Sequence, residues 1–184
     1  NPRLFDELNL PADDPRRNAV KIHNPLTEEQ GVLRTTLIPG MLQVMQYNFN
    51  RQIDNQLLFE LGKVFDPPVG KAKLPVEKMM VALALSGKAP QNDWQVPPVA
   101  IDFYYLKGIL ETLLDNLGVA NYRWEEAKLP LLHPSRGARL FVENQEAGFL
   151  GALHPAAAEN IDLRQDIYLA ELELDVFLNT ASLV

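Results

Sequence analysis

The sequence predicts an α+β fold in which an antiparallel sheet is flanked by helices. Strand-like segments come in neighbouring pairs, residues 56–65 (QLLFELGKVF) with 76–85 (VEKMMVALAL) and residues 139–143 with 148–153. Helical periodicity is placed between these pairs rather than after every strand, so the regular βαβ alternation of a parallel sheet is missing. The segment 76–85 is apolar on both faces, the pattern of a central strand covered from both sides.

Taken in order, residues 3–8 predict a short helix, followed by the polar turn Pro11-Ala12-Asp13-Asp14-Pro15 and a brief strand at Val20-Lys21-Ile22. Residues 24–49 are the densest stretch of signals. Asn24 precedes a proline, which disfavours α geometry there. Thr27-Glu28-Glu29-Gln30 has the spacing of a capping box, predicting a helix from Glu28 to about Arg34. Pro39 suits the first turn of a second helix, and Met41, Leu42, Val44, Met45, Tyr47 and Phe49 give that helix apolar surface on more than one side. Such a helix is buried on more than one side: one side packs on its own domain, and the other calls for a partner.

Residues 66–75 form a loop with three prolines and a glycine, long enough to suggest a functional or vestigial connection. Residues 87–98 are a polar surface crossing. Asp102 is an N-cap for a helix carrying Phe103, Leu106, Leu110, Leu113 and Leu117 and stopped by Gly118. Strands resume from Asn121, with a hairpin turning at Asn144-Gln145-Glu146. A short helix starts at Pro155 behind His154, and residues 167–174 alternate, setting Tyr168, Ala170, Leu172 and Leu174 on one face.

Composition excludes several functions. With 184 residues, 47% of them hydrophobic, the chain can bury a core of its own. It has no cysteine, which removes disulfides, thiolate metal sites and cysteine nucleophiles, and fits a reducing compartment. No apolar run reaches the ~20 residues that span a bilayer. Net charge is −7, and most of it lies in residues 138–184, where two basic residues face eight acidic ones. No basic stripe suited to phosphate neutralisation exists, which disfavours direct nucleic-acid binding. The chain opens inside the hydrophobic segment Pro2-Arg3-Leu4-Phe5 without an initiator methionine, as expected of an excerpt from a longer protein.

Catalytic patterns are sparse. Gly148 and Gly151 are the nearest approach to a phosphate loop and read better as a hairpin edge. His133-Pro134 and His154-Pro155 lack a carboxylate at ligand spacing, so a pre-proline or N-cap role explains them better than a metal. Ser135 lies two residues from His133 without a nucleophile elbow. Asp102 and Lys107 read as a helix cap and a solvated lysine. Glu125-Glu126, and Glu171 with Glu173, read as surface charge on strand faces, with paired metal-ligating carboxylates as the alternative.

Several ordered blocks resemble the beta subunit of bacterial phenylalanyl-tRNA synthetase. They are Asn24-Pro25-Leu26, Leu33-Arg34-Thr35-Thr36-Leu37-Ile38-Pro39-Gly40, Asn48 with Asn50-Arg51, and Leu58-Phe59-Glu60-Leu61-Gly62-Lys63-Val64-Phe65. Asp102-Phe103 with Leu106-Lys107-Gly108, His133-Pro134 with Arg136, and Gly151-Ala152-Leu153-His154-Pro155 follow in the same order. The family usually has His-Pro-Gly-Arg-Ser-Ala where this chain has His133-Pro134-Ser135-Arg136-Gly137-Ala138.

The resemblance implies a class II aminoacyl-tRNA synthetase-like core, one domain over residues 1–184, in which the chemistry of the catalytic alpha subunit has been lost. An active class II site resembles a strand ending in Phe-Arg-x-Glu and a later glycine-rich junction with a second arginine, the guanidinium groups gripping ATP. Here the first strand ends Val64-Phe65-Asp66-Pro67 and no Gly-x-Gly-x-Gly-x-x-Arg follows. The implied role is a non-catalytic assembly module of phenylalanine–tRNA ligase that docks the alpha subunit in a cytoplasmic heterotetramer. Its implied interface is Leu33, Arg34, Pro39, Met41, Leu42, Met45 and Phe49. Magnesium and ATP would belong to the holoenzyme and no cofactor to this chain; tRNA would be met only through the holoenzyme, and no membrane is implied. The alternative is a free-standing ATP-dependent ligase using Glu60, Lys63 and Arg136, or a ligand-binding module.

Overall fold

Alternation that buries both faces of a sheet produces three layers, and the computed structural model has them. It describes residues 3–25, 31–70, 72, 74–90, 95 and 97–179. The helices are α1 (Arg3–Glu7), α2 (Ile38–Phe49), α3 (Phe103–Asn116), α4 (Pro155–Asn160) and α5 (Leu174–Leu178). The strands are β1 (Gln56–Asp66), β2 (Val76–Ser86), β3 (Tyr122–Glu126), β4 (Leu132–Val142), β5 (Gln145–Leu153) and β6 (Ile167–Glu173). They form one sheet in the order β1-β2-β6-β5-β4-β3, antiparallel at every pairing.

Strand parity sends side chains to one of two cores. On one face α1, α2 and α4 bring Phe5, Leu8, Met41, Leu42, Met45 and Ala157 onto Val64, Ala82, Ala84, Ile167 and Leu169. On the other, α3 and α5 bring Leu106, Leu110, Leu114, Val176 and Phe177 onto Val81, Leu83, Leu85, Leu140, Leu150, Ala170 and Leu172. The expected central strand β2 therefore feeds both cores. β6 does so too, and its first six residues are buried.

The second helix, the Asp102 helix and both hairpins lie where the sequence puts them. Asp102 caps α3 by accepting from the Tyr105 amide at 2.7 Å, and Gly118 ends it with φ +69°. The buried stripe of α3 is Leu106, Leu110 and Leu114; Leu113 and Leu117 lie at its half-buried margin. The β4–β5 turn is tighter than expected, with Glu143 and Asn144 both at positive φ.

Two expectations are corrected here. The helix from Glu28 to Arg34 is not formed over the part that is described: Val32 makes an antiparallel bridge with Lys21, and the chain stays irregular to Leu37. Its capping box, Thr27 to Gln30, lies outside the described residues. The strand Val20-Lys21-Ile22 is reduced to that single bridge, because pairing partners fix a strand more firmly than local composition does. The second correction is Glu171, which is buried rather than displayed. Its parity is that of Ile167 and Leu169, so it points under α2, on a face that a half-buried strand would have left to water.

Gly148 shows how closely the central strands approach. Its φ is +146°, and a Cβ there would collide with the Glu171 carbonyl oxygen and the Leu172 Cα, both backbone atoms that cannot swing aside. Gly148→Ala should therefore destabilise the fold by roughly 2–4 kcal/mol, read as a lower urea midpoint with an unchanged m-value.

Candidate subunit interface

The start of α2 is set by residues far away in sequence. Leu37, its N-cap residue, offers no capping side chain. The Glu171 carboxylate from β6 takes that role, accepting from the Leu37 amide at 2.6 Å and from the Thr36 hydroxyl at 2.8 and 2.9 Å. An anion at a helix N-terminus is favoured by the unpaired amides and the helix dipole. Burial pushes the Glu171 carboxyl above its usual range; the bonds from Leu37 and Thr36 offset part of that cost. Thr35 is tied the other way, donating to the Arg16 carbonyl at 2.5 Å. Arg16 is itself held by Asp14 through a bidentate contact at 2.7 and 2.8 Å, which keeps the Asp14 carboxyl below its ordinary value.

Arg34 secures the neighbouring sheet edge. Its Nε donates to the Lys63 carbonyl at 2.8 Å, its Nη1 to Glu60 at 2.7 Å, and its own carbonyl accepts from the Phe65 amide at 2.8 Å. The guanidinium lies directly over Gly62, in space that a Cβ would fill. This explains a glycine in the middle of a strand.

The seven interface residues expected from sequence divide into two groups. Pro39, Met41, Leu42 and Met45 are buried in the chain's own core beneath α2. Arg34 is exposed, and Leu33 and Phe49 are half-buried. The helix has a second apolar side made of residues outside that set: Val44 is 50% exposed and Tyr47 57% exposed. The Arg51 guanidinium lies 3.4 Å from the Tyr47 ring centroid. The two-sided character of α2 was legible in sequence; which residues faced inward was not, because a helical wheel has no absolute orientation until the sheet beneath it is known.

The polar residues weighed singly in the sequence meet in a different place. A cleft of about 690 Å³ beside the N-terminus of α3 is lined by Asp102, Lys107, Glu125, Glu126, Ser135 and Arg136, with Trp124 and Tyr168 as aromatic wall. Some of its charges are paired, two of them with residues outside its lining. Lys107 pairs with Glu111, Arg136 lies 3.8 Å from Asp166, and Arg123 holds Glu125 at 2.8 Å. Burial raises the Tyr168 phenol. Ser135 sits 3.2 Å from His133 Nδ1, but that nitrogen already faces the Ser135 amide at 3.2 Å. His154 is the N-cap of α4, accepting from the Ala156 amide at 3.1 Å. Glu60, Lys63 and Arg136 are not brought together. β1 and β4 are separated by three strands, roughly 19 Å at the usual strand spacing, and the Glu77 carboxylate 2.7 Å from Lys63 holds its ammonium protonated. Among the described residues no helix is long and apolar enough to cross a membrane.

Comparison with known proteins gives a consistent result. Residues 1–174 match the family model described as the phenylalanyl tRNA synthetase beta chain CLM domain. A phenylalanine–tRNA ligase beta subunit from Symbiobacterium thermophilum is 42% identical over 172 residues, 94% of this chain and 19% of that protein. The beta subunit from Carboxydothermus hydrogenoformans is 42% identical over 178 residues, covering 96% of this chain and 22% of the relative. That from Clostridium tetani is 34% identical across all 184 residues, again 22% of the relative. The chain thus spans about a fifth of the length of the curated relatives it matches.

Glu171 generates a stability prediction with a definite sign. A carboxyl whose folded pKa is raised contributes stability that is complete below the unfolded value, about 4.3, and is lost as pH rises through the folded value. Urea unfolding across this range should show the wild type losing ground to Glu171→Gln as pH rises; parallel profiles would refute the assignment. Glu171→Ala leaves the Leu37 amide and Thr36 hydroxyl unanswered and should cost roughly 2–4 kcal/mol.

Proposed function

The chain belongs to the phenylalanyl-tRNA synthetase beta-chain family, and on that premise we propose that it is a non-catalytic assembly module of phenylalanine–tRNA ligase. Its role is to dock the catalytic alpha subunit within the heterotetramer that charges tRNA with phenylalanine. Residues 1–184 act as a single class II synthetase-like domain of a longer beta subunit. Magnesium and ATP are used by the holoenzyme at a site this chain does not supply, and tRNA is engaged only through the holoenzyme.

The observation that carries the reading is the outer side of α2. Its inner side is fully seated, with Met41, Leu42 and Met45 in the core and Phe49 packed against it, yet Val44 and Tyr47 stay half exposed on the outer side. Apolar surface left bare on a helix whose core side is complete is the mark of a face meant for another chain. The interface is accordingly assigned to Val44 and Tyr47 with Leu33, Arg34 and Phe49. Pro39, Met41, Leu42 and Met45 support it from beneath.

The end of β1 supports the non-catalytic half of the reading. β1 ends at Asp66, which pairs with Lys78 at 3.3 Å, and a carboxylate there repels a triphosphate rather than holding it.

Co-purification with the alpha subunit tests the proposal. Val44→Asp combined with Tyr47→Asp should weaken association by about a hundredfold, as expected for two apolar anchors, while the thermal midpoint of the isolated chain stays within a few degrees. Unchanged assembly would remove the interface assignment. ATP–pyrophosphate exchange by the isolated chain would overturn the non-catalytic role.

A further inference from the structure

Residues 33–37 belong to no helix or strand, yet none of them is loose. The Leu33 amide donates to the Val20 carbonyl at 2.8 Å, and the Arg34 carbonyl accepts from the Phe65 amide at 2.8 Å. The Thr35 hydroxyl donates to the Arg16 carbonyl. The Thr36 hydroxyl and the Leu37 amide both donate to the Glu171 carboxylate, and Thr36 Oγ1 accepts from the Ile38 amide at 3.3 Å. The N-terminal stretch, β1 and β6 thus hold five consecutive residues that have no ladder of their own. Thr35, Thr36, Leu37 and Glu171 are all buried, so this clamp is internal to the fold and does not depend on what packs against its surface.

The last part of the clamp is the costly one. Arg16 and Arg34, the two cations whose charge is felt at Glu171, are bonded to Asp14 and Glu60 instead. The buried carboxylate is therefore answered by two hydrogen-bond donors without a salt bridge among the described residues. A Ser, Thr, Asp or Asn at position 37 would cap α2 locally. Such a cap fixes a helix start relative to its own chain, whereas a carboxylate from β6 fixes it relative to the sheet. Arg34 ties the first half of the segment to β1 through the Lys63 carbonyl and Glu60; Glu171 ties the second half to β6.

We propose that Glu171, acting through Thr36 and Leu37, is a positioning residue for alpha-subunit docking: it holds residues 33–37 and the start of α2 in the arrangement that the partner binds. This role presupposes the docking through α2 described above, and adds a buried residue that the partner never touches. Its effect is preorganisation. A segment that must order itself during binding weakens the complex, and when only a fraction of molecules has the competent arrangement, apparent affinity falls by that fraction. With Thr36 and Leu37 released, the segment is held at its Arg34 end only, and the first turn of α2 loses the group that answers it.

Titration of the whole beta subunit carrying this chain with the alpha subunit tests the role. Thr36→Val keeps the shape of the side chain without its hydroxyl, and Glu171→Met keeps the length of the side chain with only a weak thioether acceptor. Each should weaken association about tenfold, as when the competent fraction drops to about one in ten. Glu171→Gln retains an acceptor for the Leu37 amide and should stay within about twofold of wild type. Leu114→Ala opens a cavity in the core on the α3 side and should lower the thermal midpoint at least as far as Thr36→Val, with association unchanged. Amide exchange at Leu37 and Ile38 should be faster in Thr36→Val than in wild type before the partner is added. Unchanged binding by Thr36→Val overturns the role, even where Glu171→Met fails to fold. So does a loss of binding by Leu114→Ala equal to that of Thr36→Val, or a loss by Glu171→Gln equal to that of Glu171→Met. If Val44→Asp with Tyr47→Asp breaks assembly while the Thr36 and Glu171 variants do not, positioning fails and docking through α2 stands; if none of them alters assembly, both fall.

Discussion

The contact between Glu171 and the Thr36–Leu37 turn is the constraint on which the arrangement of one whole layer depends. A carboxylate under a helix layer is costly to desolvate and survives there only when its lone pairs are answered. The Leu37 amide and the Thr36 hydroxyl answer them, and neither has a better partner nearby. The requirement acts in both directions. β6 must keep its register for Glu171 to point at α2, and α2 must begin at Ile38 for the Leu37 amide just before it to meet the carboxylate. Everything that α2 then buries, from Met41 to Met45, follows from that fixed start.

Position relative to the layers separates structural residues from those that could meet a partner. Inside, β2 and β6 are covered on both faces and carry little but packing. Outside, Val44 on the outer side of α2 and Phe59 and Leu61 on β1 are half or more exposed, and Arg51 lies over the Tyr47 ring. The two surfaces differ in kind. A helix side presents side chains alone and suits a shaped, apolar partner, whereas a strand edge also presents backbone donors and acceptors and suits another strand. Arg34 stands between them, latching the irregular segment before α2 to the end of β1.

The polar cleft beside α3 gathers residues that are far apart in the sequence. Six residues that the sequence offers one at a time do converge there. Yet Asp102 caps a helix, Lys107 pairs with Glu111, and Arg136 approaches Asp166.

By itself the sequence determined the α+β class, the long helices, the two hairpins and the family blocks. These rest on signals shorter than one element: Asp102 before an apolar period, Gly118 after it, alternation through residues 167–173. It also determined that α2 has more apolar surface than one core can use. Only the tertiary structure decided which side of α2 is the inner one, that residues 31–34 run outside a helix, and that Glu171 is a buried keystone rather than surface charge. Each of those depends on which face of a strand is covered and by what. Coverage is set by elements more than a hundred residues apart, as Thr36 and Glu171 are, and no local period carries that information.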